Sequence, residues 1–501
     1  MVERSSEGAC SKREQYEGRM SWQHIRTCND EVPHIKDELK KRGEMVVAFD
    51  TENNMYTVSE AIEHFGFGKF QIKVSIVGGL LCIGDGLELA TITLLGQYLQ
   101  CEWRLNNFQV MMLATVTFFG TCIGSIVTGK LLDLYGRKRI IVIFTAFLLY
   151  FSIISAFSSN FITMLLTRFC LGFFLSSYFH SFSLVMEFLP KDYRAYFGCI
   201  AMCPFALSFT LEYLLAGLTV SSLGWRVWLL ISASPYIVIL CGTLIIPESV
   251  RFLNVQGEKE KLMATLNCIS RDNGIELPKG QLILENSYKR GQLKDLFRKP
   301  YLSIFLPACV VSICSVCTYS SPQLLLPVLK NSENESEIIC SLSCLDKGFS
   351  FYLNLMKATI LEILSVPIMA VSLTFSGRRT ALSACSIMTA LLLIPIFFTS
   401  FMNFIFLGAS KMFSSTVVTL FHIYQVELFP TQIRGIAVGS LTTTYKLSSI
   451  LSSVIVVLYL SYPRVAILFI FTSSLLIPFV DFMSLFMLTF NNICASENSM
   501  A

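Results

Sequence analysis

Twelve stretches of about 20 mostly apolar residues constrain this chain more than any other feature. A helix needs about that length to cross some 30 Å of hydrocarbon, and in a bilayer only helices or closed barrels satisfy their own backbone groups. The windows lie near 73–97, 108–132, 139–158, 161–186, 195–220 and 226–246, then near 301–329, 351–375, 380–399, 403–426, 435–460 and 464–489. Composition agrees, with 53% apolar and 15% charged residues among 501, where a soluble domain carries about 25% charged. The layout predicts a cytosolic N-terminal tail (1–70), a six-helix half (71–247), a cytosolic linker with short amphipathic helices (248–300), a second half (301–490) and a short cytosolic tail (491–501).

Basic residues are retained on the cytosolic side of a membrane. With both termini inside, the short cytosolic loops hold nine: Lys130, Arg137, Lys138, Arg139, Lys191, Arg194, Arg378, Arg379 and Arg434. The opposite side holds five: Arg104, Arg226, Lys330, Lys347 and Arg464. Asn334-Glu335-Ser336 is a glycosylation sequon in the loop between windows 7 and 8, on the side expected to face lumen or exterior. Cys340 and Cys344 share that loop and can bridge each other or Cys101, or stay as thiols. Most of the 17 cysteines lie inside apolar runs, where a thiol acts as a small hydrophobe, and no zinc spacing emerges. The tail before residue 70 lacks the apolar core of a signal peptide. A formal charge of +4 gives no case for a nucleic-acid partner. Membrane lipid is the expected surrounding. In the linker, "EKEKLMATLNCIS" places Leu262, Leu266 and Ile269 on one side of a short helix expected to brace the cytosolic ends.

Two strings recur. "EFLPKDYR" (Glu187 to Arg194) returns as "ELFPTQIR" (Glu427 to Arg434), and "DLYGRK" (Asp133 to Lys138) as "TFSGRR" (Thr374 to Arg379), at corresponding loops of the two halves. The expected fold class is therefore an all-α membrane protein with 12 transmembrane helices in two pseudo-symmetric six-helix halves. In one transporter class such halves are related by an axis along the membrane normal, with substrate near the midplane between them. Gly129 suits a close helix approach, and Gly136 the tight turn between two helices. Asp133 or Glu187 can pair with Arg137 or Arg194, and Glu427 with Arg434 or Arg378. Such pairs can close a cytosolic gate in one conformation and release it in another; alternatively the charges merely fix topology. Thr374 stands where the first half carries Asp133, so the first corner is expected to latch more firmly.

"GKLLDLYGRKR" resembles the G-x-x-x-D-x-x-G-R-K signature of the major facilitator superfamily, and "PESVRFL" (Pro247 to Leu253) resembles the string closing helix 6 in its sugar and organic-ion branches. With "GFGKFQIK", "CEWRL", "LGWR" and the two repeated strings, residues from about 56 to 480 resemble the synaptic vesicle 2-related branch, near the organic cation and anion transporters. That resemblance implies the major facilitator fold and a polar central cavity. It also implies a vesicle or plasma membrane as the location.

Ionisable groups in hydrocarbon cost about 2.5–3.5 kcal/mol on insertion scales, so each one is a functional candidate. The acids are Asp85, Glu88, Glu212 and Glu362; the bases are Arg168, Lys411 and Lys446, with Lys357 nearer an end. Asp85 and Glu88 are three apart and share a helix face. Two carboxylates this close repel when both are ionised, which makes them a candidate proton site; the alternative is structural pairing with Arg168 or Lys446. His180 and His422 are expected to be packed, hydrogen-bonded histidines. Tyr319, Phe173 and Phe179 are candidates for lining a cavity for an aromatic or cationic ligand, the alternative and commoner role of such rings being lipid-facing or core packing. No P-loop, phosphate cradle or catalytic triad is visible, so neither an enzyme nor a cofactor or metal is expected, beyond a coupled proton. The reading is a secondary transporter of a small organic solute, with organic ions favoured by the resemblance. The rival is a non-transporting vesicle protein acting as receptor, scaffold or nucleotide-binding regulator.

Overall fold

The computed structural model describes residues 55–200, 202–283, 293–298, 301–325, 348–375, 377–397, 403–429, 431–462, 465 and 467–480. Residues 56–278 and 282–501 fall in one compact unit, which holds every helix of the two halves. Its helices occupy the apolar windows. The first half contains α1 (Lys69–Trp103), α2 (Asn107–Tyr135), α3 (Arg137–Ala156), α4 (Phe161–Glu187), α5 (Met202–Ser232) and α6 (Ser234–Ile245). The second contains α7 (Tyr301–Leu325) and α8, which runs as Phe349–Ile360, a 3-10 turn at Leu361–Leu364 and Ser365–Phe375. It continues with α9 (Arg378–Leu393, extended by a 3-10 turn at Ile394–Phe397), α10 (Asn403–Leu428), α11 (Thr431–Ser461) and α12 (Ile467–Val480). Among the described residues, eight continuous segments are long and apolar enough to cross a membrane; one of them, Cys203–Ile245, has 43 residues, enough for two crossings. It divides at Gly224, whose backbone (φ 82°, ψ 166°) leaves the helical region, so the end of α5 joins α6 as one span.

Local chemistry sets the boundaries. Asn106 accepts from the Gln109 amide (2.8 Å) and the Gln109 side chain accepts from the Asn106 amide (2.9 Å), a reciprocal cap at the start of α2. Asn160 accepts from the Thr163 amide at 2.9 Å to start α4. Gly136, at φ 99°, turns α2 into α3 with no intervening loop, as its sequence context predicts.

The packing is two-fold. The pair α1 with α5 has its counterpart in α7 with α11, and α3 with α4 in α9 with α10. Across the halves, α2 packs on α11 and α5 on α8, partners that the same exchange of halves interconverts. The α2–α4 contact depends on absent side chains. A Cβ at Gly120 would sit 3.0 Å from the Phe173 amide nitrogen, one at Gly124 2.8 Å from Ser176 Oγ, and one at Gly172 against the Thr117 carbonyl. Gly129, half-buried, lies five residues beyond this contact on α2. In the second half Gly408 of α10 makes the equivalent approach to α8, where a Cβ would sit 2.9 Å from the Ala358 carbonyl.

The apolar clusters divide unevenly. At the end holding Arg137, one cluster belongs to the first half (Ile140, Val185, Leu189, Val250) and another to the second (Phe305, Leu420, Phe429, Ile433). At the other end a single cluster mixes the halves: Tyr98, Tyr213 and Trp228 pack with Tyr352, Leu355 and Ile467. Its polar edges also cross, since Tyr98 and Tyr352 share a hydroxyl hydrogen bond and Gln323 Nε2 donates to Tyr213 Oη at 2.9 Å.

The short helix Lys259–Asn273 buries Leu262, Leu266 and Ile269, the side read from the sequence. Among the described residues it packs on α1 of the first half. Asn273 Oδ1 accepts from the Phe70 amide (3.0 Å) at the start of α1, its Nδ2 donates to Gln71 (2.8 Å), and Lys73 pairs with Asp272 (2.8 Å).

Candidate functional site

Among the described residues, the charged groups that bear on a site lie at the Arg137 end and between the ends. At the first, Arg137 pairs with Glu187, which terminates α4 and is buried. This is one of the pairings that the sequence left open. Arg194 instead donates from Nε to the Leu189 carbonyl at 3.0 Å; its own burial and the nearby Arg251 lower its pKa. Asp133 is exposed on the last turn of α2, and Arg378 starts α9. Glu427 and Arg434 lie in α10 and α11, but the side-chain pairing expected of them falls outside the described residues, as do Asn334, Cys340, Cys344 and any bridge to Cys101.

Sequence reading missed the group that organises this corner. Glu248 Oε1 accepts from the amides of Arg137 (2.7 Å), Lys138 (3.0 Å) and Ser249 (2.9 Å). A carboxylate there satisfies otherwise orphaned N–H groups and complements the helix dipole. Ser249 then donates to Glu187 and caps Phe252 N (3.1 Å), so the exit of α6, the start of α3 and the end of α4 are one hydrogen-bonded knot. Gly136 is part of it, because a Cβ there would meet the Glu248 carboxylate at 2.5 Å. The available signal was an acid after the proline that ends window 6, facing a turn followed by three bases.

Between the ends, the intramembrane charges are sorted by half. Glu88 of α1 accepts from Arg168 Nη1 of α4 at 2.6 Å, both almost wholly buried, with Ser155 Oγ 3.4 Å from Nη2. In the second half Lys411 of α10 meets Glu362 of α8 at 2.6 Å, again both buried. Glu362 also accepts from Tyr319 Oη at 2.9 Å, and the Lys411 ammonium lies 4.0 Å from the ring centroid of Phe209, contributed by the first half. Glu212 accepts from Thr91 (3.0 Å) and Ser232 (2.7 Å), and no cation pairs with it among the described residues.

Asp85 and Glu88, on one side of α1, have different surroundings. Glycines on either side of Asp85 let α1 approach its neighbours: a Cβ on Gly84 would meet the Tyr178 ring at 2.5 Å, and one on Gly86 the Phe205 carbonyl at 2.9 Å. Glu88 turns to Arg168, while Asp85 faces a cavity of about 50 Å³ between the halves. Phe118 and Phe205 line it from the first half; Tyr319, Tyr445 and Lys446 line it from the second. Space of this size holds a few waters, far below the several hundred Å³ of a pocket closed around a drug-sized ligand. Tyr319 lines the cavity, whereas Phe173 packs edge-on against Phe144. His422 is a packed histidine: its Nδ1 lies 2.8 Å from the Val418 carbonyl and its ring 5.2 Å from Tyr445. The side chains of His180 and Phe179 lie outside the described residues.

Comparison with known proteins gives one family. The sequence profile of the Major Facilitator Superfamily matches residues 74–452. The chain is 31% identical over 401 residues to the synaptic vesicle 2-related protein of Rattus norvegicus, covering 77% of this chain and 73% of that one. It is also 31% identical over 403 residues, with the same coverage, to the protein of that name from Xenopus laevis. Among solved structures, a D-xylose–proton symporter superposes with a TM-score of 0.61 at 14% identity, covering 82% of this chain and 97% of that one. The xylose transporter of E. coli in a partially occluded inward open conformation gives 0.62, also at 14%, covering 84% and 98%. At such identity these two likenesses establish the fold.

Proposed function

The chain belongs to the major facilitator superfamily, a family of multi-pass membrane transporters, and from that premise we propose that it moves a small organic solute, most simply an organic ion, by alternating access between its two halves. The observation that carries this reading is the cavity between the halves, walled by Asp85 and Phe205 on one side and by Tyr319 and Lys446 on the other. A site built from both halves changes shape whenever they rock, which is what alternating access requires. The ion pairs Glu88–Arg168 and Lys411–Glu362 each stay within one half, so they travel as fixed parts of rigid bodies while the cavity between them opens and closes.

On this reading both termini are cytosolic and the Arg137 end is the cytosolic gate. Gly129, Asp133, Gly136, Arg137, Glu187 and Arg194 form its first corner, and Arg378, Glu427 and Arg434 its second. The bridge across this end is the short helix Lys191–Ile200, which packs on Ser365–Phe375 of α8 and on α10. The mixed apolar cluster then lies at the opposite, closed end. Similarity to synaptic vesicle 2-related proteins supports residence in a vesicle or plasma membrane. Coupling to protons rests on Asp85, the acid facing the cavity, with Glu212 as a buried acid that has no ion pair among the described residues.

Proteoliposome uptake tests the proposal. Purified protein is expected to accumulate at least one member of an organic cation, anion and zwitterion panel, with an inward proton gradient increasing the rate and Asp85→Asn abolishing that increase. Absence of uptake across the panel refutes transport. Uptake indifferent to both the gradient and the substitution refutes the coupling.

A further inference from the structure

Among the described residues, no cation accompanies the buried acid Glu212, which lies on α5 where three spans of the first half converge. Thr91 reaches its Oε1 from α1 at 3.0 Å, and Ser232, beyond the break at Gly224, reaches the same atom at 2.7 Å. Its Oε2 has no hydrogen-bond partner among the described residues, nor has the indole nitrogen of Trp228. An ionised carboxylate offers about four acceptor sites and is costly to bury without donors or a counter-charge. Two bonds on one oxygen and none on the other suit a neutral acid. The charged groups in reach do not alter this: Glu88 is an acid already held by Arg168, Glu362 on α8 is held by Lys411, Lys357 on α8 is exposed, and Tyr213 and Tyr236 bring phenols.

The hydroxyl of Thr91 makes the site two-sided. It has one proton and two acceptors in range, Glu212 Oε1 and the Leu87 carbonyl at 2.9 Å. With Glu212 ionised, that proton turns to Oε1. With Glu212 protonated, it turns to the carbonyl and the acid donates to Thr91, while Ser232 donates to the acid in both. The same turn of α5 carries contacts between the halves: Phe209 under Lys411, Thr210 Oγ1 3.2 Å from Thr359 Oγ1, and Tyr213 accepting from Gln323 at 2.9 Å.

We infer that Glu212 is a proton-binding residue separate from the cavity, and that its protonated form holds shut the end of the molecule where the halves share one apolar cluster. This goes beyond the coupling assigned to Asp85, since Glu212 does not line the cavity. Removing the proton strands a charge beside Phe209 and Tyr213, with no counter-ion among the described residues. Water reaches that charge as the contacts of this turn with α7 and α8 part, so loss of the proton favours opening. The closed form binds the proton more tightly than the open one; closure therefore holds at low pH and is released as pH rises.

Thiol accessibility in the purified full chain tests the inference. Thr359→Cys places a thiol at a fully buried position that meets Thr210 across the halves. Its modification by N-ethylmaleimide is read by peptide mass spectrometry at that position alone. Rates are compared between the Glu212 and Glu212→Gln backgrounds at each pH, so the thiol's own reactivity cancels. The two are expected to react alike at about pH 5, and the Glu212 background at least about fivefold faster at about pH 9, limits that bracket a buried carboxyl. A ratio constant over that range overturns the inference. Thr91→Val removes a donor that the ionised acid needs more than the neutral acid needs its lone pair. The rise is therefore expected to move upward by about half to one pH unit in Thr91→Val and to stay in place in Thr91→Ser. No movement in Thr91→Val, or the same movement in both, overturns the switch; these two variants keep Glu212 and decide the matter if Glu212→Gln does not fold. Infrared difference spectra of the wild type against Glu212→Gln at about pH 6 are expected to show the carbonyl band of a protonated carboxylic acid, and a carboxylate band alone overturns the inference. Uptake separates this from the transport reading. Opening that follows Glu212 without uptake of any organic ion sustains the switch and refutes transport; uptake driven by protons through Asp85 with a ratio indifferent to Glu212 does the reverse.

Discussion

Replacing Arg168 by methionine removes one member of a buried pair and leaves Glu88 in place. The two groups are 2.6 Å apart and 1% and 3% exposed. With an effective dielectric of about 20, their attraction amounts to about 6 kcal/mol. Burying each ion costs several kcal/mol, so the intact pair is close to neutral as a net contribution. Its hydrogen bonding is also incomplete: Ser155 is 3.4 Å from Nη2, at the edge of bonding range, and Nε has no hydrogen-bond partner among the described residues. Arg168→Met alone is therefore expected to destabilise by about 3–5 kcal/mol, because the glutamate is stranded. Glu88→Gln combined with Arg168→Met is expected to return most of that loss. The assay is a double-mutant cycle on denaturant unfolding of the purified protein in detergent. A coupling energy below about 0.5 kcal/mol, the scatter expected of independent sites, would mean that the two residues do not depend on each other and would refute the pairing.

Other expectations rest on contacts of the same kind. Glu248→Ala leaves the amides of Arg137, Lys138 and Ser249 without their acceptor and is expected to cost about 1–3 kcal/mol in the same unfolding measurement, with Glu248→Gln retaining part of it. Gly172→Ala drives a Cβ into the Thr117 backbone and is expected to destabilise by about 1–3 kcal/mol as α4 is pushed from α2; a Gly217→Ala control, where the Cβ would lie 3.1 Å from Tyr352, should be milder. Phe209→Leu removes the ring beneath Lys411 while keeping apolar volume, and should cost about 0.5–2 kcal/mol in wild type and much less in a Lys411→Met background. Glu187→Gln is expected to release Arg137, read as faster modification of a cysteine placed at Arg139 than in the protein with Glu187 intact.

Much of the fold was legible because hydrocarbon imposes a length and a polarity that survive into sequence. Each apolar window contains a helix, and Gly136 announced its turn because so short a connection requires a positive φ. The pairing of charges was less legible. Spacing of three residues correctly puts Asp85 and Glu88 on one side of α1, but the partners of each depend on which helix arrives there, and α4 brings Arg168 to Glu88 while α11 brings Lys446 toward Asp85. Glu248 was read only as part of a motif, since the amides it binds lie more than a hundred residues earlier. Tyr98 and Tyr352 were not singled out at all: single hydroxyls in apolar runs carry no periodic signal, and their meeting is decided by how one half docks on the other.

The uneven division of the apolar core has a calorimetric consequence. Exposing apolar surface raises heat capacity, whereas burying it lowers heat capacity. Opening the end where Tyr98, Trp228, Tyr352 and Ile467 share one cluster exposes apolar area; closing the end where the two clusters stand apart buries it. If the two areas match, the halves exchange one contact for the other with no net change, and a ligand that drives the exchange binds with a van 't Hoff plot that is straight. If they do not, the plot curves, and the sign of its curvature tells which end of the molecule holds the larger apolar contact.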